Sequence, residues 1–174
     1  MAATDLRDRL QPALLDRLTD HAPHDKREAE AQRVMTKAQL RQAVLRDLSW
    51  LFNASQPQAG WAQAHPQLMG SVLNFGLPSL AGRRMSQLDV HELERLIAQA
   101  IRDFEPRLLP ASLSVRALEA SSVLDTHNVI EFEIRGHLWA QPVPLEILLR
   151  TRMDLEAGQV EVRDASAATP AREA

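Results

Sequence analysis

The stretch Ile130-Glu131-Phe132-Glu133-Ile134-Arg135 alternates apolar and charged residues without a break. Successive side chains of a strand point to opposite faces, so this spacing predicts a β-strand with one apolar and one charged face. The same period of two recurs on either side. Upstream, Leu113, Val115 and Ala117 alternate with Ser114 and Arg116. Downstream, Ile147, Leu149, Thr151 and Met153 alternate with Leu148, Arg150 and Arg152, and Val160 and Val162 flank Glu161. Gly158 is placed to turn the chain between the last two strands. Four such strands make an antiparallel sheet with one apolar face, and that face needs a cover.

The cover lies before Pro110, where the period lengthens. Thr36 and Gln39 stand at capping-box spacing, and Leu40, Val44, Leu48 and Leu51 follow at helical period, with Trp50 and Phe52 adding bulk. Asn53 through Gly60 reads as a loop. A second helix starts at Ser86 with Asp89 three residues on, carries the stripe Val90, Leu93, Ile97, Ile101 and Phe104, and stops at Pro106. Helices followed by strands predict an α+β fold: N-terminal helices packed on one face of a small, mainly antiparallel four-stranded sheet.

Between the helices, residues 61–85 contain Pro66, Gly70, Gly76, Pro78 and Gly82. They also contain Trp61, Leu68, Met69, Val72, Leu73, Phe75 and Leu77, so the connection is expected to pack on the core with short helical turns. Residues 1–35 read as an arm or linker. Leu6, Leu10, Leu14 and Leu18 can line one helical face, although Pro12 interrupts it. Leu14, Leu15 and Leu18 suit docking on a partner better than building a core. Residues 36–163 read as a single domain and residues 164–174 as a flexible tail.

Composition narrows the function. A net charge of -3 gives no bulk attraction to nucleic acid or anionic membrane. The lack of cysteine removes disulfides, thiolate catalysis and cysteine-rich zinc sites. No apolar run is long enough to span a bilayer, and the first residues carry no secretory pattern, so a cytoplasmic location is expected. Asn53-Ala54-Ser55 matches a glycosylation acceptor, which is chance without export.

There is no P-loop, nucleophile elbow, dinucleotide fingerprint or His-Glu-x-x-His. His21 and His24 flank Pro23 and read as a solvated pair rather than metal ligands, and His137 as a surface histidine. No metal, cofactor or catalytic residue is assigned. A glycosidase needs two close carboxylates. Asp89 and Glu105 belong to one helix region but lie about 24 Å apart at 1.5 Å per residue. Glu105-Pro106-Arg107 is the most informative local feature. A carboxylate at a helix C-terminus is disfavoured by the macrodipole and needs a nearby cation. One reading is a helix stop with an incidental ion pair. The other is a rigid corner presenting a carboxylate and a guanidinium to another protein. The sheet edges offer a second surface, either blunted by Arg150, Arg152, Glu161 and Arg163 or open to a partner strand.

Four stretches together carry a family likeness: Leu14-Leu15-Asp16-Arg17-Leu18; Leu40 through Asn53; Ser71-Val72-Leu73-Asn74-Phe75-Gly76-Leu77-Pro78-Ser79-Leu80-Ala81-Gly82; and Phe104-Glu105-Pro106-Arg107-Leu108. Their order and spacing resemble the TssE family of type VI secretion baseplate subunits, itself similar to a wedge protein of contractile-tailed phages once labelled lysozyme-like. The likeness runs from about residue 12 to 163. It implies a non-enzymatic scaffold that joins the wedge subunits TssF and TssG, with TssK and other baseplate proteins nearby, where the TssB/TssC sheath begins. It implies a cytoplasmic place at the baseplate, docked to the inner-membrane complex. It assigns sheath assembly to Glu105, Pro106 and Arg107, and suits a sheet edge that templates the sheath. Leu14, Leu15 and Leu18 are the expected wedge-docking residues. The alternatives are a peptidoglycan hydrolase or the same wedge role in a phage-like contractile particle.

Overall fold

The structure is a computed structural model, and it describes residues 10, 12–19, 23–24, 35–57, 65–79, 89–118, 129–140 and 143–165. Leu6, His21, Trp61, Ser86 and nearly all of the expected tail lie outside the described residues.

Helix α1 covers Leu14–Leu18, α2 covers Lys37–Asn53 and α3 covers Val90–Phe104. Four strands follow: β1 (Ser114–Ala117), β2 (Val129–Leu138), β3 (Leu145–Asp154) and β4 (Gln159–Asp164). They pair in the order β1-β2-β3-β4, every neighbour antiparallel. The fold is therefore α+β, as the change of period predicts.

Local chemistry starts α2 and α3. The Thr36 hydroxyl accepts from the Gln39 N–H while the Gln39 side chain accepts from the Thr36 N–H, which satisfies two of the otherwise orphaned donors. Asp89 caps α3 by accepting from the His91 N–H. Asn53 belongs to the last turn of α2 rather than to the loop after it.

Both helices bury their stripes on one sheet face. Leu40, Val44, Leu48 and Leu51 of α2 and Leu93, Ile97 and Ile101 of α3 meet Ile130, Phe132 and Ile134 of β2 and Ile147, Leu149 and Met153 of β3. Phe132 has no exposed surface and sits at the centre of the register, opposite Ala117 and Thr151. Complete burial of such a side chain contributes about 1.5–3 kcal/mol. On the outer face Glu131 is opposite Arg152, Arg152 is opposite Glu161, and Glu133 is opposite Arg150. Opposite charges in register favour this pairing over a slipped one.

The connection between α2 and α3 packs only in part. Pro66–Leu68 and Val72–Asn74 form short 3-10 turns. Leu77 is buried, and Phe75 meets Phe104 edge to face with ring centroids 5.4 Å apart. Val72 and Leu73, however, are 83% and 58% exposed, so these two do not join the core as expected. A strap holds the segment to the end of α2: the Leu77 N–H donates to Ala54 O and the Gln56 N–H to Leu77 O, each at 2.9 Å. Gly76 makes this close approach possible: its φ is 129°, and a Cβ added there would overlap the Ala54 carbonyl oxygen.

Candidate functional site

Helix α3 ends where Pro106 removes a backbone donor, and Glu105 becomes its C-cap. The chain then turns and is fastened to the end of β2. The Trp139 N–H donates to Arg107 O at 2.7 Å, and the Leu109 N–H donates to His137 O at 2.9 Å. Leu108 bridges to Leu138 across Gly136, where an added Cβ would stand 2.9 Å from a Leu108 methyl carbon.

The corner turns its carboxylate inward. Glu105 is 2% exposed, and it and Thr151 are the buried polar residues among those described. Glu105 Oε1 accepts from the Arg107 N–H at 3.1 Å and from Arg107 Nε at 2.7 Å, while Oε2 accepts from Nη2. The sequence expectation of a carboxylate offered to another protein thus changes: Glu105 holds Arg107, and Arg107 is the member that reaches the surface, with 24% of its side chain exposed.

Arg107 also reaches across to α2, where Nη2 donates to Asp47 Oδ2 at 2.6 Å. Burial opposes the charge on Arg107, but hydrogen bonding and attraction from Glu105, followed by Asp47, outweigh it and push its pKa up. The other oxygen of Asp47 accepts from Arg46 Nε at 2.9 Å, and Arg46 Nη1 donates to Asp16 Oδ1 on α1. The hydrogen bond from Arg46 to Asp16, then that to Asp47, raises the Arg46 pKa. A chain of alternating charges therefore runs Asp16–Arg46–Asp47–Arg107–Glu105. Sequence reading had no signal for Asp47, because its partner comes from a distant turn.

Beside this chain lies a cleft of ≈ 560 Å³ walled by Leu48, Leu51, Phe75, Phe104 and the corner, with Trp50 at its lining. Trp50 is 52% exposed, and the Arg46 guanidinium lies 5.2 Å from its ring centroid. On α1, Leu14 and Leu18 are each 72% exposed and Leu15 45%, so none of the three builds the core. Leu10 packs against the core instead, and its carbonyl accepts from the Met35 N–H.

The sheet edges belong to β1 and β4. Arg150 and Arg152 stand on β3, an inner strand, so their charges cannot blunt an edge as the sequence suggested. Glu161 and Arg163 do stand on the edge strand β4, and side chains from the helices close further edge positions. Glu94 of α3 accepts from the Ala117 N–H on β1 at 2.7 Å. Asn53 of α2 both accepts from the Val160 N–H and donates to the Val160 carbonyl on β4, imitating a neighbouring strand. The Ala117 N–H, then His91, holds the Glu94 carboxyl below its ordinary range; Glu94 in turn raises the His91 pKa.

Among the described residues no group of His, Asp and Glu is arranged to hold a metal ion, and no helix is long and apolar enough to cross a membrane. His24 and His137 are exposed. The carboxylates of Glu105 and Asp47 are both engaged by arginines, which fixes the geometry of the corner. A family profile described as baseplate wedge protein gp25 matches residues 38–143, a span that contains α2 apart from Lys37, α3, the corner, β1 and β2. No curated protein and no solved structure matches the chain.

Proposed function

Since the chain belongs to the baseplate wedge protein gp25 family, which includes TssE, we propose that it is a structural subunit of a type VI secretion baseplate without enzymatic activity. In this reading it joins the TssF and TssG wedge subunits, neighbours TssK, and helps start polymerisation of the TssB/TssC sheath. It works at the cytoplasmic side, with the baseplate docked to the inner-membrane complex. The observation that carries the reading is the family match, with Glu105, Pro106 and Arg107 inside the matched span.

The corner supports a sheath-facing role because it is rigid. Its backbone is bonded to β2 and its guanidinium is fixed by carboxylates from two elements, so Arg107 is presented in one geometry. Leu14, Leu15 and Leu18 are the wedge-docking side chains. Burying each contributes about 1.5–3 kcal/mol before ordering costs.

A co-expression pull-down with TssF, TssG, TssB and TssC tests this. Wild type is expected to capture wedge and sheath subunits. With capture scaled to the folded fraction of each variant, Arg107→Ala is expected to lose the sheath, and Leu14→Ser with Leu18→Ser to lose the wedge. If wild type captures none of them, the reading fails, and cell-wall lysis by the pure protein becomes the next assay.

A further inference from the structure

The exposed leucines of α1 and the Glu105-Pro106-Arg107 corner look like separate surfaces in the sequence. In the folded chain they are the two ends of one line of ion pairs. Asp16 of α1 is held by Arg46, Arg46 shares Asp47 with Arg107, and Arg107 closes on Glu105. The two ends differ in completeness. At the corner, both Glu105 oxygens accept hydrogen bonds. At the arm, Asp16 Oδ2 and Arg46 Nη2 are buried and have no hydrogen-bond partner among the described residues. Helix α1 spans only Leu14–Leu18 and has no buried residue, so apolar packing does little to hold it. A helix this short is marginal in water by itself. Beyond the Leu10 anchor that precedes it, its position rests on the Asp16–Arg46 pair, and Arg46 is oriented in turn by Asp47 and the Trp50 ring.

We propose that the α1 arm and the Glu105-Pro106-Arg107 corner act as one coupled docking unit, with Asp47 as the positioning residue that joins them. Asp47 can do this because its two oxygens serve different arginines: Oδ1 takes Arg46 Nε and Oδ2 takes Arg107 Nη2. Loss of the charge at Asp47 frees both guanidiniums at once. Arg107 then relaxes toward Glu105 alone, and Arg46 toward Asp16 and Trp50. The arm loses the fixed point against which its leucines are presented. The consequence for function rests on the baseplate reading: a partner that seats on the arm also sets the corner, and a disturbed corner weakens the seat of the arm.

Two experiments separate the coupling from that reading. The first needs no partner. Arg17 is exposed on α1, so the rate of trypsin cleavage after it, followed by mass spectrometry, reports how firmly the arm is held. Asp47→Asn and Glu105→Gln are expected to speed this cleavage by about threefold or more, although neither residue is bonded to α1. Ile147→Val, a buried change away from the relay, serves as the control for general destabilisation. Cleavage in Asp47→Asn no faster than in Ile147→Val overturns the coupling. The second experiment is a double-mutant cycle, Asp16→Asn against Glu105→Gln, read as capture of TssF and TssG. A coupled unit gives effects that depart from additivity by about threefold or more, whereas independent surfaces give additive effects and overturn the proposal. If wild type captures neither subunit, the baseplate reading fails, and the cleavage rates alone decide the coupling.

Discussion

Arg107 Nη2 donates to Asp47 Oδ2 at 2.6 Å, a contact between positions 60 residues apart in the chain. It ties the turn after α3 to the middle of α2, and it lies over the cleft walled by Phe75 and Phe104. Its energetic weight follows from burial. An exposed ion pair contributes about 0–1 kcal/mol. Glu105 is 2% exposed, so removal of its cation leaves a charge in the protein interior.

Arg107→Ala is accordingly expected to lower stability by about 3 kcal/mol in urea unfolding. The tripeptide thus carries part of the fold as well as a surface, since Glu105 is buried and Arg107 is its cation. Arg107→Lys is expected to recover less than half, because one ammonium cannot form the fork to Glu105 while reaching Asp47. Full recovery by lysine would show that charge alone matters.

Gly76→Ala places a methyl group against a backbone oxygen at a φ of 129°, where the neighbour cannot yield by rotating a side chain. The strap from Ala54 to Leu77 must shift, at an expected cost of about 1–3 kcal/mol. Gly70→Ala is the control, since nothing lies within 4 Å of the added carbon. It is expected to stay within about 0.5 kcal/mol of wild type. Thermal unfolding of both variants measures the difference.

Thr36→Ala removes the hydroxyl that accepts from the Gln39 N–H and is expected to cost about 1 kcal/mol. Thr36→Ser keeps the acceptor and is expected to lose only a few tenths of that. Equal losses in the two variants would place the contribution in the methyl group instead of the cap.

The contact from α3 to the β1 edge sets a pH dependence. The Ala117 N–H and His91 depress the Glu94 pKa, so Glu94 contributes stability above the ordinary carboxylate value of 4.5 and loses it as pH falls through its depressed value. Glu94 raises the His91 pKa, so His91 contributes below 6.5 and loses its share as pH rises through its raised value. In an NMR titration His91 is expected to titrate above 6.5 in wild type and to return toward 6.5 in Glu94→Gln. An unchanged midpoint would remove Glu94 as the cause.

The sequence by itself determined the elements whose signals are local. Strands β2 and β3 declare themselves through an alternation along much of their length, α2 through the Thr36–Gln39 box, and α3 through a stripe closed by Pro106. Backbone geometry imposes these periods on neighbouring residues, so they survive in one dimension. Tertiary structure decided the rest. Glu105 turns inward, Asp47 joins the corner to the arm, Arg150 and Arg152 fall on an inner strand, and Glu94 and Asn53 close the edges. Each of these depends on which distant segments meet, and sheet order and ion-pair partners leave no periodic trace along the chain. Their charges read in sequence as solvated surface; only packing shows which of them are drawn into the protein and which cation each then requires.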